Sequence, residues 1–270
     1  PTVTSNYSIT GTSSLGCVSG NTTVGTITVN ATPTLAVNSG SICNTQSFVI
    51  LPSGGGTYSV TGNNFTVSPS TTTSFSVTGT GTNGCPASNT IVSTVTVAPL
   101  PTISVSNGTI CLNQTATITP SGASSYSITG GTLTASGTTF ATSPSVTTNY
   151  SITGTNAAGC LSASSATMSL LVNALPTITA NTTSSAVCVG NTVVVSGSGA
   201  NTFTWTASSG TVTNGVAFSP TTSATYSVTG TNTITGCVSA SASIVNIAVN
   251  ANPTITTSGS PTLCIGGNAN

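Results

Sequence analysis

The sequence has no lysine, arginine, aspartate, glutamate or histidine among its 270 residues. In an average globular chain, about a quarter of the residues are charged. General acid–base catalysis needs a side chain that titrates near the working pH, and a serine or threonine nucleophile needs a base to activate it. The chain provides neither group, so we predict that it is not an enzyme.

The same absences argue against several kinds of ligand and partner. Without basic side chains the chain cannot neutralise phosphates, so we expect no binding to nucleic acid or to anionic membrane surfaces. Without carboxylates, histidines or a Cys-x-x-Cys pair, we expect no calcium or zinc site and no cofactor. No apolar run approaches the roughly 18 residues that span a bilayer, which predicts that the chain does not insert into membranes.

The residues that are present favour β-structure throughout. Residues 90–97 and 243–249 follow a period of two, with apolar side chains at most of the alternate positions. Such alternation is typical of strands with one buried face. β-branched residues dominate these stretches, and glycine, proline and asparagine separate them. The pattern predicts an all-β chain.

A succession of motifs recurs along the chain. Pro-Thr-Ile begins at residues 101, 176 and 253, and a looser copy, Pro-Thr-Leu, begins at residue 33. We therefore predict three complete repeats: unit 1 (33–100), unit 2 (101–175) and unit 3 (176–252). Residues 1–32 align with the C-terminal part of a repeat, and residues 253–270 align with the N-terminal part of a further one. We expect a window on a longer array; alternatively, the two partial repeats complete each other between neighbouring molecules.

Unit 2 gives the clearest strand pattern. We place strands A, B, C, E, F and G near residues 102–106, 116–119, 125–129, 138–142, 149–155 and 164–172. Short strands separated by frequent turn signals are typical of an immunoglobulin-like β-sandwich. The junctions between repeats are very short and contain proline, which favours extended backbone. The predicted fold is a tandem array of immunoglobulin-like β-sandwich repeats that forms an extended rod.

The aromatic residues hold equivalent positions in the repeats, on one face of strand C and early in strand F. We predict that they are core residues: Tyr7, Tyr58, Phe75, Tyr126, Tyr150, Phe203, Trp205 and Tyr226. The lone tryptophan is also compatible with a platform on which a sugar stacks. The core interpretation is favoured because Val60 and Ile128 hold the equivalent positions in units 1 and 2.

The eight cysteines occupy two repeating positions. One lies between strands A and B (Cys43, Cys111, Cys188, Cys264), and the other lies in the turn between strands F and G (Cys17, Cys85, Cys160, Cys237). This usage indicates an oxidising, extracellular location.

Two disulfide pairings are open. Pairing within a unit would join Cys43 to Cys85, Cys111 to Cys160 and Cys188 to Cys237. In a seven-stranded sandwich, however, the two positions lie at opposite ends of the unit, about 20 Å apart, and a disulfide needs Cα atoms within about 7 Å. End-to-end stacking instead brings the A–B region of one unit to the F–G turn of the next, which favours Cys43–Cys160 and Cys111–Cys237. A strand count wrong by one would reverse this preference.

Residues 109–111, 143–156 and 158–160, with the Gly-Cys pairs at 84–85 and 236–237, resemble a known kind of repeat. The chain is similar along its whole length to the tandem PKD-like or immunoglobulin-like repeats of giant Bacteroidota surface proteins, which include type IX secreted adhesins and the gliding adhesin. The resemblance implies a cell-surface stalk or filament with no chemistry of its own.

Two classes of function remain. The first is structural: a stalk or filament segment used in adhesion, gliding or surface attachment, whose partners are neighbouring repeats. The alternative is a β-sandwich module that binds a glycan or an ordered surface. Uncharged sheet edges lack the lysines that usually prevent strand pairing between molecules, so lateral self-association into fibres is a further expectation.

Overall fold

The computed structural model describes residues 1–256, 258 and 259. Cys264, one of the predicted disulfide candidates, lies outside the described residues. Over the described ranges the chain is all-β, with 24 strands and no helix. No helix that could cross a membrane occurs in this part of the chain.

Residues 1–32 contain an antiparallel hairpin of β1 (Ser5–Ile9) and β2 (Thr23–Ile27). Among the described residues no second sheet covers this hairpin, so its apolar side chains are exposed. Tyr7 is 45% exposed and Ile9 is 66% exposed. The prediction that Tyr7 is a core residue is therefore wrong for this structure, because the position has no opposing sheet to pack against.

Unit 1 is built from a four-stranded sheet and two short strand pairs. The sheet has the order β4-β10-β9-β7, and the pairs are β3–β6 and β5–β8. A small core of Ile50, Val60 and Val77 lies between them. The strands are β3 (Ala36–Val37), β4 (Gly40–Cys43), β5 (Phe48–Val49), β6 (Pro52–Ser53), β7 (Thr57–Val60), β8 (Thr66–Val67), β9 (Thr73–Thr80) and β10 (Ile91–Ala98).

Unit 2 has the largest core, which contains Tyr126, Ile128, Tyr150, Ile152 and Leu170. A five-stranded sheet of order β11-β17-β16-β13-β14 faces the pair β12–β15. The strands are β11 (Gly108–Cys111), β12 (Ala116–Ile118), β13 (Ser125–Gly130), β14 (Leu133–Gly137), β15 (Phe140–Thr142), β16 (Thr148–Thr155) and β17 (Ala166–Asn173). In this unit β12, β13, β15, β16 and β17 are strands B, C, E, F and G.

Unit 3 packs a four-stranded sheet of order β19-β24-β23-β21 against a three-stranded sheet of order β18-β20-β22. Its core contains Val193, Val195, Tyr226 and Ile247. The strands are β18 (Thr179–Thr182), β19 (Ala186–Cys188), β20 (Val193–Ser198), β21 (Thr202–Ala207), β22 (Ala217–Phe218), β23 (Ala224–Thr231) and β24 (Ser243–Asn250).

The same parallel strand pair occurs in each unit. The strands β4, β11 and β19, which we call the A′ strands, run parallel to strand G of their own unit, which is β10, β17 and β24. The sequence pattern does not predict these pairs. Strand A is expected near residues 102–106, but there the structure has only the isolated bridge between Ser104 and Ser121. The strand that joins the main sheet begins at Gly108. The A′ segments are too short for their alternation to identify them.

Unit 2 also contains a strand that the sequence analysis did not predict. Strand β14 pairs with β13 at the edge of the sheet, in register from Leu133 opposite Gly130 to Gly137 opposite Tyr126. Gly131, whose φ is +55°, lies in the tight turn between the two strands. The strand has only five residues, of which Leu133 and Ala135 are apolar and the last is glycine, so it lacks a strong strand signal.

The predicted core aromatics are buried to different degrees. Tyr126, Tyr150 and Tyr226 are buried, whereas Tyr58, Phe75, Phe203 and Trp205 are half-buried. The Tyr126 hydroxyl accepts a hydrogen bond from the backbone N–H of Ala123 (2.9 Å) and donates one to its carbonyl (2.8 Å). Tyr58 makes the same pair of bonds to Gly55. A buried tyrosine thus keeps its polar end satisfied.

The Thr-Gly-Thr end of strand F has a packing reason. In unit 2 a Cβ atom on Gly154 would contact the side chain of Ile103 and lie 2.7 Å from the Cβ of Ala123. In unit 3 a Cβ atom on Gly230 would contact Ile178 and lie 2.7 Å from the Cβ of Ala200. Glycine recurs there because the strand A side chain fills the space.

The chain exposes far more surface than a compact protein of its mass. Its accessible surface is 16381 Å² for 26.0 kDa, whereas a compact monomer of that mass exposes about 10,500 Å². A chain divided into several small units exposes more surface than one compact body of the same mass.

Candidate functional site: the junctions between units

Each junction contains a cysteine that ends an A′ strand. Cys43 lies beside Ala98, the last residue of strand G in unit 1, and Cys111 lies beside Asn173, the last residue of strand G in unit 2. Parallel pairing therefore carries these cysteines to the end of the unit where the chain enters the next one. Cys188 has the same place beside Asn250.

A tight turn fixes the backbone after each of these cysteines. The Cys111 N–H donates to Oε1 of Gln114 (3.0 Å), and the Gln114 N–H donates back to the Cys111 carbonyl (3.0 Å). Cys43 and Gln46 make the same two bonds, both of 3.0 Å. The Cys-x-x-Gln spacing thus holds the thiol-bearing residue rigidly at the end of the unit.

The second cysteine lies in the turn between strands F and G. Gly159 has a φ of +82°, a left-handed conformation that glycine adopts without strain. The Asn156 side chain accepts hydrogen bonds from the N–H groups of Ala158 (3.0 Å) and Cys160 (2.9 Å). The Asn-x-x-Gly-Cys sequence therefore presents Cys160 at the start of unit 2.

The two kinds of cysteine meet across the junctions as disulfides. Cys43 of unit 1 is bonded to Cys160 of unit 2, with Cα atoms 5.5 Å apart. Cys111 of unit 2 is bonded to Cys237 of unit 3, with Cα atoms 5.6 Å apart. These are the pairs that the end-to-end stacking argument favours, and the within-unit pairs do not occur among the described residues.

Hydrogen bonds to the linkers surround these disulfides. The Asn156 amide donates to the Pro99 carbonyl (2.8 Å), and the Asn44 N–H donates to the Ala98 carbonyl (3.0 Å). The carbonyl of Ala98, at the end of strand G, and that of Pro99, in the linker, thus accept hydrogen bonds from residues on either side of the junction. Asn83 holds the Ala31 carbonyl in the same way at the entrance to unit 1 (3.0 Å).

One cysteine of each disulfide is buried, and its partner, Cys43 or Cys111, is half-buried. Cys160 is 1% exposed and Cys237 is fully buried. Three cysteines of the described residues are free thiols: Cys17 and Cys188, which are exposed, and Cys85, which is half-buried. No group of three or more potential metal ligands occurs in the ranges that the structure describes.

The junction of units 2 and 3 also has an open cleft of about 440 Å³. Leu112, Leu175, Pro176 and Ile178 form its apolar wall, and hydroxyl groups such as that of Ser241 line the rest. Carboxylates are the ligands that calcium needs, and the chain has none. The disulfide Cys111–Cys237 joins the two units at this junction.

The outer face of the main sheet presents hydroxyl groups in rows. In unit 2, Thr134 and Ser151 flank Thr129 on adjacent strands, and Thr167 follows opposite Ser151. Adjacent strands lie about 4.7–4.9 Å apart, so one row contains four evenly spaced hydroxyl side chains. Three of the four are exposed and Ser151 is half-buried. The sequence analysis did not identify this surface.

Trp205, the alternative sugar-stacking residue, packs against the core of unit 3. Its indole Nε1–H donates to Oδ1 of Asn214 (3.0 Å), which also accepts from the Gly197 N–H (2.6 Å). The polar end of the side chain is therefore already bonded within the unit.

No model of a known protein family and no curated protein sequence matches the chain. Among solved structures, it is similar to a Ca²⁺-stabilised adhesin that helps an Antarctic bacterium reach out and bind ice (15% identity, TM-score 0.38, covering 91% of this chain and 81% of that one). It is also similar to a 1.5-MDa bacterial ice-binding adhesin (16% identity, TM-score 0.35, covering 83% of this chain and 100% of that one). A third similar structure is that of repeats EC22–24 of mouse cadherin-23 (9% identity, TM-score 0.29, covering 83% of this chain and 100% of that one).

Proposed function

We propose that the chain is a segment of an extracellular stalk. Its sandwich units are joined end to end by disulfides, and they give the stalk its length without catalysing a reaction. The observation that carries this proposal is the placement of both disulfides across unit junctions, Cys43–Cys160 and Cys111–Cys237. A bond at that place does little for the core of either unit and restrains the angle between them. Disulfides persist in oxidising environments, which supports an extracellular or cell-surface location.

The finer parts of this proposal come from the sequence. The resemblance to repeats of Bacteroidota surface proteins supports a place in a large adhesin or filament, with units 33–100, 101–175 and 176–252 as its building blocks. Neighbouring repeats are the partners that this role requires. Antibodies against the chain should label intact, unpermeabilised cells of the source organism, and labelling only after permeabilisation would contradict the location.

Electron microscopy of the purified chain tests whether the junctions are rigid. We expect the oxidised chain to show a narrow distribution of angles between units. A variant with Cys43, Cys111, Cys160 and Cys237 all changed to serine should show a broad one. Cys188→Ser is the matched control, because Cys188 is a free thiol and its replacement should leave the angles unchanged. Equally broad distributions for oxidised chain and variant would contradict the proposal.

A second candidate function rests on the hydroxyl rows of the outer sheet face. We propose that this face is a flat, neutral surface that binds an insoluble, uncharged polysaccharide. Microcrystalline cellulose is a suitable probe: Thr129→Lys, in the middle of a row, should reduce retention several-fold. Thr117→Lys, exposed on the opposite sheet, should not. Equal retention of both variants would remove this candidate.

A further inference from the structure

We infer that the junction disulfides divide the array into two interleaved covalent paths for tension, and that strands B to F of every unit lie outside both paths. The inference rests on the proposed stalk function, because a stalk is the part of an adhesin that is pulled. Its structural basis is the order in which the cysteines and strands follow one another along the chain.

The first path begins at the N-terminal hairpin. From Cys17 the backbone runs through β2, β3 and β4 to Cys43. The disulfide then passes to Cys160 of unit 2. From there the backbone leads through β17, β18 and β19 to Cys188, at the far end of unit 3. Each stretch consists of one G strand, one junction and the strand A region of the next unit.

The second path uses the remaining G and A′ strands. From Cys85 the backbone runs through β10 and β11 to Cys111. The disulfide passes to Cys237 of unit 3, and the chain continues through β24. The two paths therefore exchange places at each junction: the strand that serves as G in one unit continues as the strand A region of the next.

Within each unit the two paths are direct neighbours. In unit 2, β11 belongs to the second path and β17 to the first, and they are hydrogen-bonded in parallel from Gly108 opposite Leu170 to Cys111 opposite Asn173. In unit 3, β19 and β24 make the same pair. Because parallel strands run in the same direction, tension along the array pulls both the same way and does not shear them apart.

The remaining strands are bypassed. The disulfide Cys43–Cys160 joins cysteines with a sequence separation of 117. The bypassed segment includes β5 to β9 of unit 1 and β12 to β16 of unit 2, with most of the core of both units. If these strands unfolded, the first path would not become longer, because the disulfide fixes the distance between its two ends.

The paths themselves contain little slack. A strand rises about 3.2–3.4 Å per residue, and a fully extended chain reaches about 3.3–3.6 Å per residue. Between Cys160 and Cys188, the backbone of strands β17, β18 and β19 is already extended. Only the loops between them can straighten. The oxidised array should therefore be nearly inextensible, whereas a tandem array without these bonds lengthens by a whole unit at each unfolding event.

Optical tweezers test the first path on the chain itself. Cys17 and Cys188 are exposed free thiols and accept DNA handles directly. The background carries Cys85→Ser, which removes the third free thiol, and Cys264→Ser, which removes the cysteine outside the described residues. The path through the disulfide Cys43–Cys160 is shorter than the full sequence between the handles, because it omits the whole segment between these two cysteines. We expect no stepwise lengthening beyond loop slack when the oxidised chain is pulled.

Opening the disulfide should release the hidden segment. Adding a reductant opens both disulfides and should add the contour of the 117-residue separation, which is roughly 390–420 Å. Changing Cys43→Ser with Cys160→Ser leaves Cys111–Cys237 in place, and the route through that bond and back from Cys237 to Cys188 is shorter than the direct backbone, so the variant should add less, roughly 290–320 Å. The experiment with reductant starts from the folded, oxidised chain. Its result is therefore valid even if the double variant folds poorly. The matched control, Cys111→Ser with Cys237→Ser, should leave the tether as short as before, because that disulfide belongs to the other path.

Two results would overturn the inference. One is extension to the full contour between Cys17 and Cys188 without reductant, and the other is release of the hidden length in the Cys111→Ser, Cys237→Ser control. Failure of the load paths and failure of the stalk proposal give different results. Flexible junctions in electron micrographs together with a short tether would remove the stalk and keep the load paths. Rigid junctions together with a long tether would keep the stalk proposal and remove the load paths.

Discussion

At the scale of single residues, the same motif position has very different surroundings along the chain. The tyrosine early in strand F is 1% exposed at Tyr226 and 2% exposed at Tyr150, but 45% exposed at Tyr7. The sequence assigns all three to a core, and the opposing sheet decides which of them is buried. Burial, not identity, should therefore determine what each tyrosine contributes to stability.

Tyr226→Ala should destabilise unit 3 strongly. Removal of a fully buried aromatic ring leaves a cavity, and such changes cost about 3–5 kcal/mol in the free energy of unfolding. Trp205, the single tryptophan, packs against the same core and reports the unfolding of this unit by fluorescence during urea denaturation.

Tyr7→Ala is the matched control for that measurement. Tyr7 lies at the equivalent position, but its ring is largely in water, so the unfolding of unit 3 should change by less than about 0.5 kcal/mol. If both variants shifted the Trp205 transition equally, the assignment of Tyr226 to a packed core would fail.

Burial also raises the pKa of the Tyr226 hydroxyl above its usual value of 10.0. The folded state therefore holds this proton more tightly than the unfolded state. The resulting stability is fully present below about pH 10 and is lost as the pH rises through the raised pKa. With no side chain of the acidic, basic or histidine types to titrate between about pH 4 and 8, we expect unit 3 to be equally stable across that range and weaker above about pH 10.

Tyr226→Phe isolates this effect, since it keeps the ring and removes the hydroxyl. The alkaline loss of stability should become smaller in the variant when the urea midpoint is followed by Trp205 fluorescence at pH 8 and pH 11. If the loss of stability between pH 8 and pH 11 were the same in the variant, that loss would come from groups other than the Tyr226 hydroxyl.

At the scale of strands, the sequence predicts the long, alternating elements well and the short ones poorly. Strands C, F and G of unit 2 lie close to their predicted positions, because long strands with one buried face alternate clearly. The A′ strand β11 and the edge strand β14 were missed. Their pairing depends on neighbours that are set by the fold and its turns, which local alternation cannot reveal.

The open sheet edges provide a prediction for self-association. Among the described residues, strand β21 pairs only with β23, whereas the equivalent β13 in unit 2 also pairs with β14. An uncharged edge with free backbone groups can pair with a second copy. Thr204→Lys should therefore lower association at high protein concentration, measured by light scattering.

Thr129→Lys is the matched control for this experiment. Thr129 lies on strand β13, which is hydrogen-bonded to β14 on one edge and to β16 on the other, so it has no free edge. It should leave association unchanged. If the unmodified chain stays monomeric at millimolar concentration, the edge does not act as an association site.

At the scale of the whole molecule, the account depends on the connectivity of the units. Sequence reasoning could compare the two cysteine pairings because strand order places the two cysteine positions at opposite ends of a unit. It could not identify the parallel A′–G pairs that bring Cys43 and Cys111 to the junctions. It also could not identify the hydroxyl rows, since they require the register between strands.

The most direct test is a disulfide map of the unreduced chain. Trypsin has no cleavage site in a chain without lysine or arginine, so digestion uses chymotrypsin at aromatic residues, which separate Cys111 from Cys160 and Cys160 from Cys237. With free thiols blocked first, mass spectrometry should find one peptide pair joining Cys43 to Cys160 and another joining Cys111 to Cys237. Peptides joining Cys43 to Cys85, or Cys111 to Cys160, would contradict the account.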